Sequence, residues 1–330
     1  MGLRRFSLKP AIVLSAVLAT MGPTAGFAAE QDFAAWLGGL RKDALSQGIR
    51  AATLDRALSG LTPIPRVIEL DRRQPEFTLT FDQYLTRVVP PARVDLGRAK
   101  LKENRELLSE VSRKYGVQPR FIVAFWGIES DFGRLDGGFS VIQSLATLAH
   151  DGRRANFFRG ELIRALRIVD QGHIAPDAMR GSWAGAMGHF QFMPSTFESF
   201  AVDHDGDGRR DIWKNKKDAF ASAANYLSKS GWKDDQTWGR PVKVPDGFDR
   251  SHAGLTIKKG LDEWTKLGVK RGDGGVLPQR DIAASLIFAD GDKGGPAFLI
   301  YDNYRVTLKW NRSTFFAVAV GTLAERIGDS

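Results

Sequence analysis

The segment Phe121-Ile-Val-Ala-Phe-Trp-Gly-Ile-Glu129-Ser-Asp-Phe-Gly-Arg134 is apolar from Phe121 to Ile128 and then sets a carboxylate where the hydrophobic run would continue. Read at a helical period, Ile122, Phe125 and Trp126 share an inward face with Glu129. An ionised carboxylate against apolar walls is poorly solvated, so its neutral form is favoured and its pKa should rise. Such a group still holds its proton near neutral pH, which is what a general acid acting on a glycosidic oxygen must do. The pattern equally suits a structural acid hydrogen-bonded to a neighbouring loop, and the segment alone leaves both readings open.

A second constellation is Asp203-His-Asp205-Gly-Asp207-Gly-Arg209-Arg-Asp211-Ile212, with acids at positions 1, 3, 5 and 9 of an EF-hand loop, Gly at 6 and an aliphatic residue at 10. Oxygen ligands at alternate positions around a Gly turn suit a hard cation, Ca²⁺ or another such as Na⁺. Position 12 is Lys214, which cannot close the shell, so Asp218 is the nearest acid able to do so. The expected ligand set is Asp203, Asp205, Asp207, Arg209 and Asp218; a plain Asp/Gly turn is the alternative. Between the two constellations, Gly181-Ser-Trp-Ala-Gly-Ala-Met-Gly-His-Phe-Gln-Phe-Met-Pro-Ser195 mixes small residues with aromatics. It reads either as backbone passing close to a ligand or as tight packing of loop on helix.

The elements that must position these residues are mostly helical. Amphipathic patterns predict helices over 33–45, 51–58, 96–115, 119–129, 141–149, 156–171, 194–202 and 218–229, with Gly48, Gly60, Gly116 and Gly172 as breaks. Arg66 to Pro91 is punctuated by Pro75, Pro90 and Pro91, and no regular element is assigned there. From Arg240 to about Trp310 short strands mix with a helix over 261–267, and Phe298-Leu-Ile-Tyr301, Asp302-Asn303 and Tyr304-Arg-Val-Thr-Leu308 read as a hairpin. Ser313 caps a last helix to Ile327. These patterns predict a mainly α fold with a small α+β insert. A helical domain would comprise 29–239 plus 311–330 and include the cation loop 203–218; 240–310 would form the smaller subdomain beside the cleft.

Arg4, Arg5 and Lys9, the apolar run Ala11 to Met21 and the small-residue stretch Pro23 to Ala29 have the form of a signal peptide spanning 1–28, cleaved after Ala28. The run is too short for a permanent membrane span. The mature chain is therefore expected in the periplasm without a transmembrane segment, and the absence of cysteine excludes a lipid anchor and disulfides. With 43% hydrophobic residues among 330, the chain can bury a large core without crosslinks. The formal charge is +9, of which the signal supplies three, and the remaining surplus suits an anionic polymer. Export and the lack of any nucleic-acid module disfavour nucleic acid.

Taken together, Tyr115-Gly-Val-Gln-Pro119, Gly127-Ile-Glu-Ser-Asp-Phe-Gly133, Gly181-Ser-Trp-Ala-Gly-Ala-Met-Gly188, Gln191-Phe-Met-Pro-Ser195, Asp205-Gly-Asp-Gly208, Ala224-Asn-Tyr226 and Tyr304-Arg-Val-Thr-Leu-Lys-Trp-Asn-Arg-Ser313 resemble the membrane-bound B type of lytic murein transglycosylase, a lysozyme-like family. The resemblance covers the chain from about Phe33 onward. It implies cleavage of the β-1,4 bond between N-acetylmuramic acid and N-acetylglucosamine in peptidoglycan, with Glu129 as sole acid and base and closure of a 1,6-anhydro sugar. It also implies sugar contacts from Ser182, Gln191, Tyr226, Trp310, Asn311 and Tyr115, a monomer, and no organic cofactor. His189-Phe190 departs from the polar or small pair expected before Gln191. Two other functions remain: a conventional muramidase, in which Asp131 or Asp136 would be the second acid, and a cell-wall binding protein without turnover.

Overall fold

The computed structural model describes residues 25–73, 79–135, 137–291 and 294–328. Residues 1–24 of the expected signal segment, and Asp136, lie outside the described residues. The first helix, α1 (Ala25–Ser46), runs across the bond after Ala28 at which cleavage is expected. It is followed by α2 (Ala51–Leu58), α3 (Pro65–Arg72) and α4 (Phe81–Val88). The last two occupy the stretch left unassigned above. Thr80 and Gln83 close α4 with a capping box: the Thr80 hydroxyl accepts from the Gln83 N–H at 3.3 Å, and the Gln83 side chain accepts from the Thr80 N–H at 3.0 Å.

The single helix expected over 96–115 is two, α5 (Pro91–Glu103) and α6 (Arg105–Tyr115). At Asn104 the backbone leaves the helical region, and the side-chain amide donates to the Lys100 carbonyl at 2.8 Å. Then come α7 (Pro119–Ser130), β1 (Phe139–Ser140), α8 (Val141–Asp151), α9 (Ala155–Asp170), β2 (Arg180–Gly181), α10 (Pro194–Phe200) and α11 (Lys216–Lys229). Helix α7 is the centre of this body. Every residue from Phe121 to Gly127 is buried, and α5, α6, α11 and the last helix pack around it.

The remaining elements are β3 (Gly239–Lys243), β4 (Lys259–Gly260), α12 (Leu261–Lys266), β5 (Lys270–Arg271), β6 (Ala283–Phe288), β7 (Ala297–Ile300), α13 (Asp302–Trp310) and α14 (Thr314–Gly328). The five strands form one antiparallel sheet in the order β4-β6-β7-β3-β5, with Leu286 opposite Leu299 and Val242 opposite Ala297. Leu286, Leu299, Leu261, Trp264 and Tyr301 form a small core, whereas Ile287, Phe298 and Ile300 belong to the main helical core. The alternation of sides along a strand thus welds the sheet to the helices.

The hairpin expected at 298–308 is not formed. β7 pairs with β6 and β3, and the chain turns directly into α13. Tyr304, Val306 and Thr307 are residue types common in strands, but Asn303, Tyr304 and Thr307 are buried together on one helical face. Asn303 fixes that face, since its amide donates to the Lys233 and Gln236 carbonyls at 2.8 and 2.9 Å and accepts from the Lys233 N–H at 2.7 Å.

Candidate active site

Pro119, whose missing N–H costs nothing at a first helical turn, starts α7, and the helix delivers Glu129 on its last turn. The chain then leaves by a turn of left-handed residues: Asp131 (φ 51), Phe132 (φ 60) and Gly133 (φ 79). The first two adopt a conformation that L side chains rarely occupy, so surrounding contacts must hold them there. Phe132 is buried edge-on against Trp126 with ring centres 5.7 Å apart, and Asp131 pairs with Arg134 at 2.6 Å and Arg93 at 3.4 Å. Ser130 donates to the His189 carbonyl at 2.6 Å and accepts from the Gly133 N–H at 3.0 Å. The turn is thereby tied to the loop carrying Gln191.

Glu129 keeps part of its surface open, but its surroundings are protein, and this desolvation pushes its pKa from 4.5 up to about 7. The opposing influence is the Trp310 indole, which donates to Oε1 at 2.8 Å and favours the ionised form. Trp310 is itself held among aromatic rings. Phe125 and Tyr226 each lie with ring centres 4.7 Å away, Phe192 5.4 Å and Phe190 6.3 Å. The Tyr226 hydroxyl donates to the Lys309 carbonyl at 2.9 Å, fixing the end of α13 that carries Trp310. The arrangement is a carboxyl group in a largely aromatic setting with one directional hydrogen bond.

Of the other residues singled out from the sequence, Gln191 is left-handed (φ 49), and its side-chain amide donates to the Gly188 carbonyl at 3.1 Å. The Ser182 hydroxyl accepts from the Ala186 N–H at 3.0 Å in a tight turn. A Cβ on Gly137 would lie 2.4 Å from the Ser182 nitrogen, so only glycine permits that approach. Asn311 follows α13 exposed, its side-chain Oδ1 accepting from the Ser313 N–H at 3.1 Å. Tyr115 is placed differently, against His204 of the acidic loop with ring centres 6.5 Å apart.

Two features of the site were not read from the sequence. Trp310 was expected as a sugar contact, and it is the hydrogen-bond partner of Glu129. Tyr84, on α4, feels the charge of Glu129: burial raises its pKa first, and Glu129 raises it further. The Thr80-Phe-Asp-Gln83 capping signature would have located its helix.

In the acidic loop, carboxylate oxygens of Asp203, Asp205, Asp207 and Asp218 all lie within 4.8 Å of one another. Asp218, in the first turn of α11, is fully buried; burial raises its pKa first, and Asp205 and Asp203 add to this. Four convergent acids, one of them buried, fit a divalent cation. The Arg209 side chain is engaged by Asp207 at 3.1 Å, which leaves only its main-chain carbonyl as a ligand.

Residues 32–325 match the family model described as the transglycosylase SLT domain. The chain belongs to the lytic murein transglycosylases. It is 32% identical over 256 residues to membrane-bound lytic murein transglycosylase B of Escherichia coli, a match covering 74% of this chain and 66% of that relative. SltB3 from Pseudomonas aeruginosa, solved in complex with NAG-anhNAM-pentapeptide, is 47% identical and superposes with a TM-score of 0.87 over 91% of this chain and 80% of that one. The E. coli lytic transglycosylase Slt35, solved in complex with calcium, is 28% identical with a TM-score of 0.74 over 91% and 94% of the two chains. The fold is the mainly α, lysozyme-like one of these transglycosylases, carrying a small antiparallel sheet. No helix among the described residues is long and apolar enough to cross a membrane.

The departure at His189-Phe190 has a structural role in this transglycosylase. An indole N–H can only donate, so the Trp126 bond to His189 Nδ1 at 2.9 Å leaves the ring proton on Nε2. Burial and the nearby Lys216 both lower the His189 pKa, keeping the ring neutral as this bond requires. Phe190 turns inward onto Phe220 and Trp310.

Proposed function

We propose that this transglycosylase cleaves the β-1,4 bond between N-acetylmuramic acid and N-acetylglucosamine with Glu129 as its only acid and base. The observation that carries this reading is the enclosure of Glu129 by protein, with the Trp310 N–H on its Oε1 at 2.8 Å, a setting that pushes its pKa up to about 7. Protonated Glu129 gives its proton to the leaving O4 as the bond from C1 breaks. The carboxylate formed, steadied by the Trp310 N–H, takes the proton of the muramyl C6 hydroxyl as O6 bonds to C1. Glu129 ends protonated, an anhydro ring has closed, and no water is consumed. A tethered hydroxyl has a high effective concentration, so one carboxylate suffices where a hydrolase needs two. Asp131, the second acid nearest in sequence, is committed to Arg93 and Arg134.

Ser182, Gln191, Tyr226, Trp310 and Asn311 are proposed to contact the glycan, with Ser182 near the muramyl N-acetyl group. The exposed amide of Asn311 and the left-handed backbone of Gln191 support those two assignments. Tyr115, beside His204, supports the acidic loop instead of the sugar. Asp203, Asp205, Asp207, Asp218 and the Arg209 carbonyl would hold a Ca²⁺ ion, which supplies charge neutralisation and rigidity. An exported chain acting on the periplasmic cell wall fits the signal-like first residues and the absence of cysteine.

The test is mass spectrometry of sacculus digests before and after borohydride. Muramyl ends that resist reduction are expected. Predominantly reducible ends would mean that water is the acceptor and that the enzyme is a muramidase.

A further inference from the structure

We propose that His189 is a positioning residue: its neutral ring locks the loop carrying Gln191 onto the turn after Glu129, and a proton gained by that ring releases the lock and stops turnover. This rests on the reading in which Glu129 is the acid that acts on the glycan. Three bonds converge on His189 from three segments. The Trp126 indole N–H donates to its Nδ1 at 2.9 Å, the Ser130 hydroxyl donates to its carbonyl at 2.6 Å, and its own N–H donates to the Ile212 carbonyl at 3.0 Å. The ring also fills the space beside Gly133, where any Cβ would collide with it.

The loop anchored in this way is short. Met187 and Phe192 exchange both backbone N–H···O bonds at 2.9 Å, and Gly188 to Gln191 form the turn between them. Gln191 takes up its left-handed backbone (φ 49) two residues beyond the anchor. A conformation that L side chains rarely occupy persists only while its surroundings impose it. Ser130 directly follows Glu129, and Phe190 packs on Trp310 with ring centres 6.3 Å apart. Loss of the anchor therefore disturbs the acid, its hydrogen-bond partner and Gln191 together.

An indole N–H can only donate, so an imidazolium would aim its Nδ1 hydrogen at the indole hydrogen, two donors facing across 2.9 Å. The ring must then part from Trp126. The groups around it set the pH at which this happens. Burial opposes the proton most, Lys216 at the start of α11 opposes it further, and Asp211 of the acidic loop favours it; together they hold the pKa below 6.5. Arg180 and Lys214 line the recess beside the ring, and Trp126, Ser130 and Gly133 bring no charge from α7 and its exit. Glu129 titrates in the opposite sense, since it needs its proton to act: it gives kcat/KM a fall above about pH 7 and none below. An acid limb below pH 6.5 is left to His189.

The pH profile of kcat/KM on a soluble glycan-strand substrate tests this. The parent should lose activity as pH falls below 6.5. His189→Leu offers no acceptor and should lose about ten- to a hundredfold at neutral pH, the scale of a misplaced active-site loop. His189→Asn keeps an acceptor near Nδ1 and cannot gain a proton, so it should recover most of that loss and run flat where the parent falls. An acid limb that survives in the Asn variant overturns the proposal, as does a parent without such a limb or a Leu variant with full activity. Nitrogen-15 NMR of the parent needs no variant: the histidine whose Nδ1 is bonded to an indole should gain its proton at the midpoint of the acid limb, and a different midpoint also overturns the proposal. A parent that clears no sacculi at any pH removes the transglycosylase reading and the lock with it. Turnover with an acid limb untouched in the Asn variant removes the lock alone.

Discussion

In the role proposed for it, Glu129 would combine two demands that conflict in water: keeping a proton at neutral pH and releasing it to a weakly basic ether oxygen. Burial meets the first by raising its pKa to about 7, and the Trp310 N–H meets the second by stabilising the carboxylate left behind. Glu129→Gln keeps the shape and the hydrogen bond but carries no transferable proton, so sacculus clearing should fall by several orders of magnitude. Its stability should change with pH in a defined sense. Folding raises the pKa of Glu129 from 4.5, so the wild type loses stability as pH rises from about 4.5 through 7. The glutamine variant escapes that loss. Its advantage should be absent below pH 4.5 and reach roughly 1–3 kcal/mol above pH 7, read from urea unfolding at several pH values. A pH-independent difference would show that Glu129 is not desolvated.

Trp310→Phe tests the other half of the balance. Loss of the N–H removes what favours the ionised acid, so the pKa of Glu129 should climb further. The alkaline limb of kcat/KM, expected near pH 7, should shift to higher pH while the maximal rate drops. An unmoved limb would detach Trp310 from the acid. The position of Glu129 at the end of a buried helix was legible in the sequence because a carboxylate interrupting an apolar run is a local signal. Its partner was not, because Trp310 reaches it from 181 positions away, and no periodicity encodes that contact.

At the scale of elements, the readable parts are those whose signals are short-range. Pro119 and Gly116 bound the start of the central helix and the end of its predecessor, and Ser313 caps the last one through its contact with the Phe316 N–H at 3.2 Å. The break at Asn104 and the helix at 302–310 were hidden for a common reason. Local preference favoured a continuous helix in one case and a strand in the other, and distant contacts through Lys216 and Lys233 accompany the opposite outcome. Gly127 offers a direct test of how tightly the catalytic turn is seated. A Cβ there would lie 2.7 Å from the Phe132 ring, whose burial secures the left-handed exit from α7. Gly127→Ala gains up to about 1 kcal/mol of helix propensity and meets an overpacking cost of about 1–3 kcal/mol. A net loss of about 1 kcal/mol is expected, with part recovered by adding Phe132→Leu. A variant more stable than the parent would show that Phe132 moves aside freely.

Across the whole molecule, the acidic loop is joined to the elements that carry the candidate site. Its Asp218 belongs to α11, which packs on α7, and the Ile212 carbonyl within the loop accepts the His189 N–H at 3.0 Å. Four carboxylates within 4.8 Å repel one another, and a divalent cation would convert that repulsion into a crosslink between the loop and α11. Binding to the folded state alone stabilises by mass action, about 2.7 kcal/mol at a hundredfold excess over Kd. Tm should therefore rise with calcium concentration and fall on adding chelator, while product chemistry at low temperature stays the same. Asp205→Asn removes one charge from an exposed position and should blunt the calcium response without unfolding the chain. The decisive comparison is the slope of Tm against the logarithm of calcium concentration in the two proteins. Equal slopes would place the ion elsewhere, and a flat response in the parent would reduce the loop to an Asp/Gly turn held by its own hydrogen bonds, with Asp203 accepting from the Gly206 and Gly208 N–H groups at 2.7 and 2.8 Å.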